Sequence, residues 1–340
     1  MTRARRVVTW IAGVALLGSA VFAALRATPW PAALIIRRVF TKGAAETVAE
    51  MEPFVPDGVT ARTRVAYASG SRDTTFDIFR PAAAEGPLPT VVWIHGGAWL
   101  SGVAADVTPY LRILAAEGFT AVAPDYTIAP EAVYPTALRQ LNSALAHLVD
   151  NAAELGIDPA RIILAGDSAG AQLASQLAAI TSDPAYARQV GIRPALEPSH
   201  LAGVVLFCGV YDLQALADLT GLLGWGFKTA MWAYSGTKDW SDSAAGRTMS
   251  TIRAVTGDFP PTFISGGNGD GLTASQSLPM AAALRAAGVD VTELFWPVDH
   301  EPSLPHEYQF HLRFDEAQEA LTALVDFLHG LAVTQDDAAS

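Results

Sequence analysis

Ser168 stands in Gly166-Asp167-Ser168-Ala169-Gly170, immediately after Arg161-Ile162-Ile163-Leu164-Ala165. A serine hydroxyl is a weak nucleophile until an adjacent base takes its proton, so the chemistry depends on how the hydroxyl is presented. The short apolar run before it reads as a buried strand. The alanine-rich stretch from Ala169 to Ile180 places Leu173, Leu177 and Ile180 on one helical face. A strand entering a helix through G-x-S-x-G is the setting of a nucleophile elbow. Gly166 and Gly170 remove the side chains that would collide where strand and helix cross. The turn exposes the hydroxyl and aims the Ala169 N–H, at the helix N-terminus, toward a substrate.

A second chemical element precedes it. His95-Gly96-Gly97-Ala98-Trp99 follows the apolar run Thr90 to Ile94, so it lies on the loop after a strand. Two glycines let backbone N–H groups turn inward unobstructed. The amides of Gly96, Gly97 and Ala169 are the expected oxyanion hole for a tetrahedral intermediate, each donor contributing roughly 3–4 kcal/mol in the transition state.

These loops need a rigid frame. With 340 residues, 51% hydrophobic and only 16% charged, the chain can bury a large core in one α/β domain or two smaller ones. Arg62 to Tyr67 and Thr74 to Phe79 alternate as a hairpin does. Thr90 to Ile94, Thr120 to Ala123, Leu201 to Cys208, Thr262 to Ser265 and Val291 to Trp296 read as further strands. Helices are expected over Thr108 to Ala116, from Pro135 with Leu138, Leu141, Leu145 and Leu148 on one face, over Ser275 to Ala287, and over Asp315 to Leu328. This alternation predicts an α/β fold with a mostly parallel central sheet covered by helices on both faces. The catalytic domain is expected over 42–335, with a helical lid insertion near 212–258. That insertion carries Trp225 and Trp232, read with Trp99 as walls of the substrate pocket; ordinary helix packing is the competing reading.

The net charge of −12 argues against nucleic acid as a partner. The single cysteine, Cys208, excludes an intrachain disulfide and a cysteine-based metal cluster. Residues 1–41 differ from the rest. Arg3, Arg5 and Arg6 precede an uncharged run from Val7 to Leu25, the length of a membrane span. Trp30, Arg37 and Arg38 suit a head-group interface. The expectation is therefore a signal anchor that attaches the protein to a membrane with the catalytic domain outside the cytoplasm. Secretion after cleavage of a signal peptide is the alternative.

Together, His95-Gly96-Gly97-Ala98-Trp99, Asp125-Tyr126 with Ala129-Pro130-Glu131, Pro135, and Gly166-Asp167-Ser168-Ala169-Gly170 resemble the hormone-sensitive-lipase-like α/β-hydrolases over roughly Thr90 to Ala332. The resemblance implies the α/β-hydrolase fold and serine attack on small carboxylic esters without metal or organic cofactor. It implies the chain order serine, acid, histidine. The acid is then expected in Gly266-Gly267-Asn268-Gly269-Asp270, at Asp270, with Asp212 the alternative. The histidine must follow the last strand, which leaves His300, His306 and His311. His300 is preferred, because its offset from Phe295 matches the one at which the family's loop returns over the elbow; His306 is the alternative. The sequence departs from the family in lacking His-Gly-Phe and in carrying Gly271 after the acid. The expected activity is hydrolysis of esters with short to medium acyl chains by Ser168, His300 and Asp270. An amidase or deacetylase with the same triad, or a non-catalytic binding protein on this fold, are the rivals.

Overall fold

The computed structural model describes Trp10 and residues 26–339. Its strands are β1 Val59–Ala66, β2 Thr75–Pro81, β3 Leu88–Ile94, β4 Thr120–Pro124, β5 Ile157–Asp167, β6 Leu201–Phe207, β7 Thr262–Gly266 and β8 Val291–Phe295. They form one sheet in the order β1-β2-β4-β3-β5-β6-β7-β8. The β1–β2 and β2–β4 pairs are antiparallel and the remainder parallel. The main helices are α1 Trp30–Met51, α2 Thr108–Ala116, α3 Thr136–Asp150, α4 Ala169–Ser182, α5 Gly221–Ser235, α6 Leu278–Ala286 and α7 Asp315–Ala339.

The period-two geometry of a strand explains how one sheet serves two cores. Val92, Ile94, Leu164, Val204, Leu206 and Ile264 point to the face covered by α3, α4 and α6. Val91, Trp93, Ile163, Val205, Phe207 and Phe263 point to the face covered by α2 and α7. Strands buried on both sides must be apolar throughout, which is why β3, β5 and β6 read as continuous hydrophobic runs. All three end at the same edge of the sheet. Their C-terminal loops carry His95–Trp99, Ser168 and Cys208.

The N-terminal part of the chain corrects an expectation. Among the described residues no helix is long and apolar enough to cross a membrane. The run from Val7 to Leu25 lies, apart from Trp10, outside the described residues. The segment read as a membrane interface is instead the first half of α1, docked on the protein. Ala32, Ala33 and Ile36 are buried near its start and Met51 at its end. Arg37, read as a head-group ligand, turns inward. Its Nε donates to Leu100 O at 2.7 Å, its Nη2 to Ala129 O at 2.8 Å, and both terminal nitrogens reach the Glu131 carboxylate. At the other end, the Glu50 carboxylate bonds His311 at 2.8 Å and pairs with Arg313. The helix is thus clamped at both ends across the rim that bears the loops.

Candidate active site

The elbow is built by close approach. A Cβ at Gly166 would lie 2.5 Å from Gly170 C, and one at Gly170 would lie 1.9 Å from Ile94 O. No side chain fits either place. Between them Ser168 takes φ 50° and ψ −115°. Such a conformation costs on the order of 1–3 kcal/mol and persists only when its surroundings hold it. Here Ser168 N donates to Phe207 O at 2.8 Å and Gln172 N returns to Ser168 O at 3.2 Å. Helix α4 then begins at Ala169 and is buried along its whole length.

His306 is the group that meets the serine. Its Nε2 lies 2.9 Å from Ser168 Oγ and its Nδ1 lies 2.8 Å from Asp270 Oδ2. Asp270 Oδ1 also accepts from Leu272 N at 2.9 Å. Burial alone would lift the Asp270 carboxyl, but the hydrogen bond and charge of His306, with the Leu272 N–H, hold it below the ordinary range. Burial likewise pulls the imidazole down. The Asp270 bond, with contributions from Cys208 and Glu307, more than reverses this and raises His306 well above the ordinary histidine range.

His300, the expected base, is elsewhere. Its Nε2 bonds Glu316 Oε1 of α7 at 2.8 Å, and its ring lies against Trp296 with centroids 4.7 Å apart. The chain needs six more residues because Asn268 fastens the loop twice. Asn268 Nδ2 donates to His300 O at 2.8 Å, and its Oδ1 accepts from Leu304 N at 2.9 Å. Gly269 N adds a bond to Leu304 O at 2.9 Å. These bonds lay the chain beside the Asp270 loop, and His306 emerges over the serine. Leu304 and Tyr308, both fully buried, anchor it on either side. That flanking pair was the available signal, since His300 is bounded by Asp299 and Glu301. His311 bonds Glu50. Asp212, the alternative acid, accepts from Gln214 N in a local turn.

The expected oxyanion donors are not placed alike. Gly96 N donates to Asp167 Oδ2 at 2.8 Å, so it is already committed. Asp167 Oδ1 takes the Trp93 indole N–H at 2.8 Å, which ties the elbow to the end of β3. Burial, then the Glu307 charge, push the Asp167 carboxyl well above its usual value. The next residues, Gly97 at φ 99° and Ala98 at φ 52°, turn the chain. A Cβ at Gly97 would lie 2.4 Å from Ser101 O. Among the described residues the N–H groups of Gly97, Ala98 and Ala169 have no hydrogen-bond acceptor. The Ala98 N–H was not among the expected donors. His95 is a brace: it stacks on Tyr126 at 4.4 Å, its Nδ1 meets Gly96 O at 2.9 Å, and burial lowers its pKa.

A cavity of about 450 Å³ opens over Ser168, lined by His306, Glu307, Gly96, Gly97 and Ala98 and, on its outer side, by Val39 to Glu50 of α1. The expected pocket residues do not line it. Trp99 is fully buried, stacked on Tyr234 at 5.4 Å, with its Nε1 3.3 Å from Gln172 Oε1. Trp225 and Trp232 line a separate cavity of about 480 Å³ with Trp240, Lys228 and Lys238. Helix α5 buries Met231, Ala233 and Tyr234 against the core. The expected lid is therefore a packed helix, and the wall over the serine comes from the N-terminal segment. As for metals, the ligand atoms of Cys208, Asp270 and His306 lie within 4.8 Å of one another. The Cys208 Sγ is buried and already engaged by Glu307 N and Gln309 Oε1, both at 3.4 Å.

The chain and its fold are similar to known esterases. The BD-FAE family model matches residues 76–284. Carboxylesterase NlhH of Mycobacterium tuberculosis is 32% identical over 282 residues, covering 78% of this chain and 82% of the relative. Esterase LipQ of the same species is 30% identical over 230 residues, 66% of this chain and 52% of the relative. Among solved structures, esterase B of Lactobacillus rhamnosis superposes with a TM-score of 0.79 at 25% identity, covering 91% of this chain and 98% of that one.

Proposed function

The chain belongs to the BD-FAE family and is a carboxylic ester hydrolase of the α/β-hydrolase fold, and from that premise we propose that it cleaves small esters with short to medium acyl chains through Ser168, His306 and Asp270. The observation that carries this reading is the hydrogen-bond chain in which one imidazole spans Ser168 Oγ at 2.9 Å and Asp270 Oδ2 at 2.8 Å. His306 takes the hydroxyl proton as Oγ attacks the carbonyl carbon. Asp270 fixes the tautomer that leaves Nε2 as the acceptor and stabilises the imidazolium that forms. The N–H groups of Gly97, Ala98 and Ala169 receive the oxyanion, in a place where no reorganisation is needed. The imidazolium then gives its proton to the leaving alkoxide. Water repeats the sequence on the acyl-enzyme and releases the acid. The cavity of about 450 Å³ above Ser168 favours small esters.

A fluorophosphonate probe should label wild type on Ser168 and leave Ser168→Ala unlabelled. The same variant should lose turnover of p-nitrophenyl butyrate by on the order of a million-fold, by analogy with other serine triads. Labelling of Ser168→Ala, or hydrolysis within tenfold of wild type, would remove the serine from the mechanism.

A further inference from the structure

We propose that Glu307 selects substrate by charge, favouring esters whose alcohol portion carries a cation. The inference rests on the ester-hydrolase mechanism above, because it uses the position of the leaving group. During acylation the leaving oxygen must come within hydrogen-bond reach of His306 Nε2 to collect its proton. Glu307 Oε1 lies 3.6 Å from that same nitrogen. Its carboxylate therefore stands beside the alcohol portion of a bound ester and not beside the acyl chain.

The other acidic groups around this cavity are already matched. Glu50 is held by His311 and Arg313, and Glu46 faces Lys42 at 3.4 Å. Asp106 accepts the Val103 N–H at 3.1 Å. Asp167 is turned toward its protonated form by burial and by the charge and hydrogen bond of Glu307. Among the described residues Glu307 has no lysine or arginine within ion-pair distance, and its one basic neighbour is His306. No lysine or arginine is among the described residues that line the cavity. The side chain is held there by a left-handed backbone, φ 58°, with the Glu307 N–H on Cys208 Sγ.

The consequence is a difference between alcohols. A negative carboxylate opposes charge developing on the leaving oxygen of a neutral ester. A cation a few ångströms away on the same alcohol offsets that opposition and is itself attracted. Over such a distance at a partly solvated site, the effect on kcat/KM is about tenfold or more, and it weakens as salt rises.

The test compares 2-(trimethylammonio)ethyl acetate with its neutral carbon isostere, 3,3-dimethylbutyl acetate. Wild type should favour the cationic ester by about tenfold in kcat/KM at low salt, and raising the ionic strength should shrink the ratio. Glu307→Gln should bring the ratio to within about threefold of unity, and Glu307→Asp should keep part of it. Glu307→Gly, which removes the left-handed strain, is the second variant and should behave as Glu307→Gln. The ratio is internal to each variant, so a general loss of activity does not disturb it. A wild-type ratio near one, or a preference that survives both Glu307→Gln and Glu307→Gly, overturns the inference while leaving the ester-hydrolase reading intact. Failure of wild type to hydrolyse either ester or p-nitrophenyl butyrate would remove that reading, and this inference with it.

Discussion

Arg37→Ala gives a measure of how far α1 belongs to the catalytic apparatus. The guanidinium makes two bonds to backbone carbonyls, Leu100 O at 2.7 Å and Ala129 O at 2.8 Å, and a two-pronged pair with Glu131. The Glu131 side chain is 39% exposed, so its pair is discounted to less than about 1 kcal/mol. The two charged bonds to part-buried carbonyls contribute about 1 kcal/mol each, and the carbonyls are left unpaired when the side chain is cut back. The total is about 2–3 kcal/mol, or about 3–4 °C in Tm for a chain of 340 residues if unfolding is cooperative. Leu100 N donates back to Gly97 O at 3.0 Å, so loosening Leu100 also loosens Gly97, a donor of the proposed oxyanion hole. Part of the loss should therefore appear in kcat, by about tenfold, with KM for a small ester changed less. Glu131→Gln, which keeps the carbonyl bonds of Arg37, should show a fraction of either effect. Differential scanning calorimetry beside steady-state hydrolysis of p-nitrophenyl butyrate reads both quantities. A Tm within 1 °C of wild type together with an unaltered kcat, each set against an expected shift several times larger, would refute the reasoning.

Four further outcomes follow from the same geometry. Because His306 is raised well above the ordinary histidine range and must be neutral to accept a proton, kcat/KM should be full above that raised value and fall as pH drops through it. Asp270→Asn removes the group that lifts the imidazole, so the acid limb of the pH–rate profile should move to lower pH while turnover drops roughly ten-thousand-fold; an unmoved limb would separate His306 from Asp270. Glu50 is held below its ordinary value chiefly by the His311 bond, so its contribution to stability is present above the unfolded glutamate pKa and is lost as pH falls through the lower folded one; Glu50→Gln should flatten that acid loss in thermal melts, and an unchanged pH dependence would count against the clamp. Trp232→Ala should leave the relative kcat/KM for acetate, butyrate and hexanoate esters within about twofold of wild type, since a side chain outside the Ser168 cavity has no differential contact with the acyl chain; a selective loss on the longer esters would return that helix to the pocket.

The frame was legible where the physics is local. Continuous apolar runs gave the parallel strands, and the spacing of Gly166, Ser168 and Gly170 gave the elbow, because steric crossing leaves little choice of residue. Gly96 shows the limit of that reasoning. A glycine on an oxyanion loop looks like a donor, but its N–H faces Asp167, a contact between residues far apart in sequence. His300 and His306 could not be separated by counting from the last strand, because Asn268, on another loop, sets how much chain is spent before the turn back. The aromatic residues of 212–258 looked like a lid, yet α5 spends them on the core and on a second cavity. Helix α1 was hardest to place. Its arginines match a head-group pattern in composition, and only the fold reveals that Arg37 has carbonyls and a carboxylate waiting for it.

The role of the histidine is the centre of the account, and single-turnover acylation tests it most directly. His306→Ala and His300→Ala should be mixed in excess over p-nitrophenyl acetate and the p-nitrophenolate followed by stopped flow. His306→Ala should lose acylation by several orders of magnitude, as removal of a triad base does. His300→Ala, which gives up a bond to Glu316 and a contact with Trp296, should acylate within a few-fold of wild type. Rapid acylation by His306→Ala alongside its loss in His300→Ala would contradict the account.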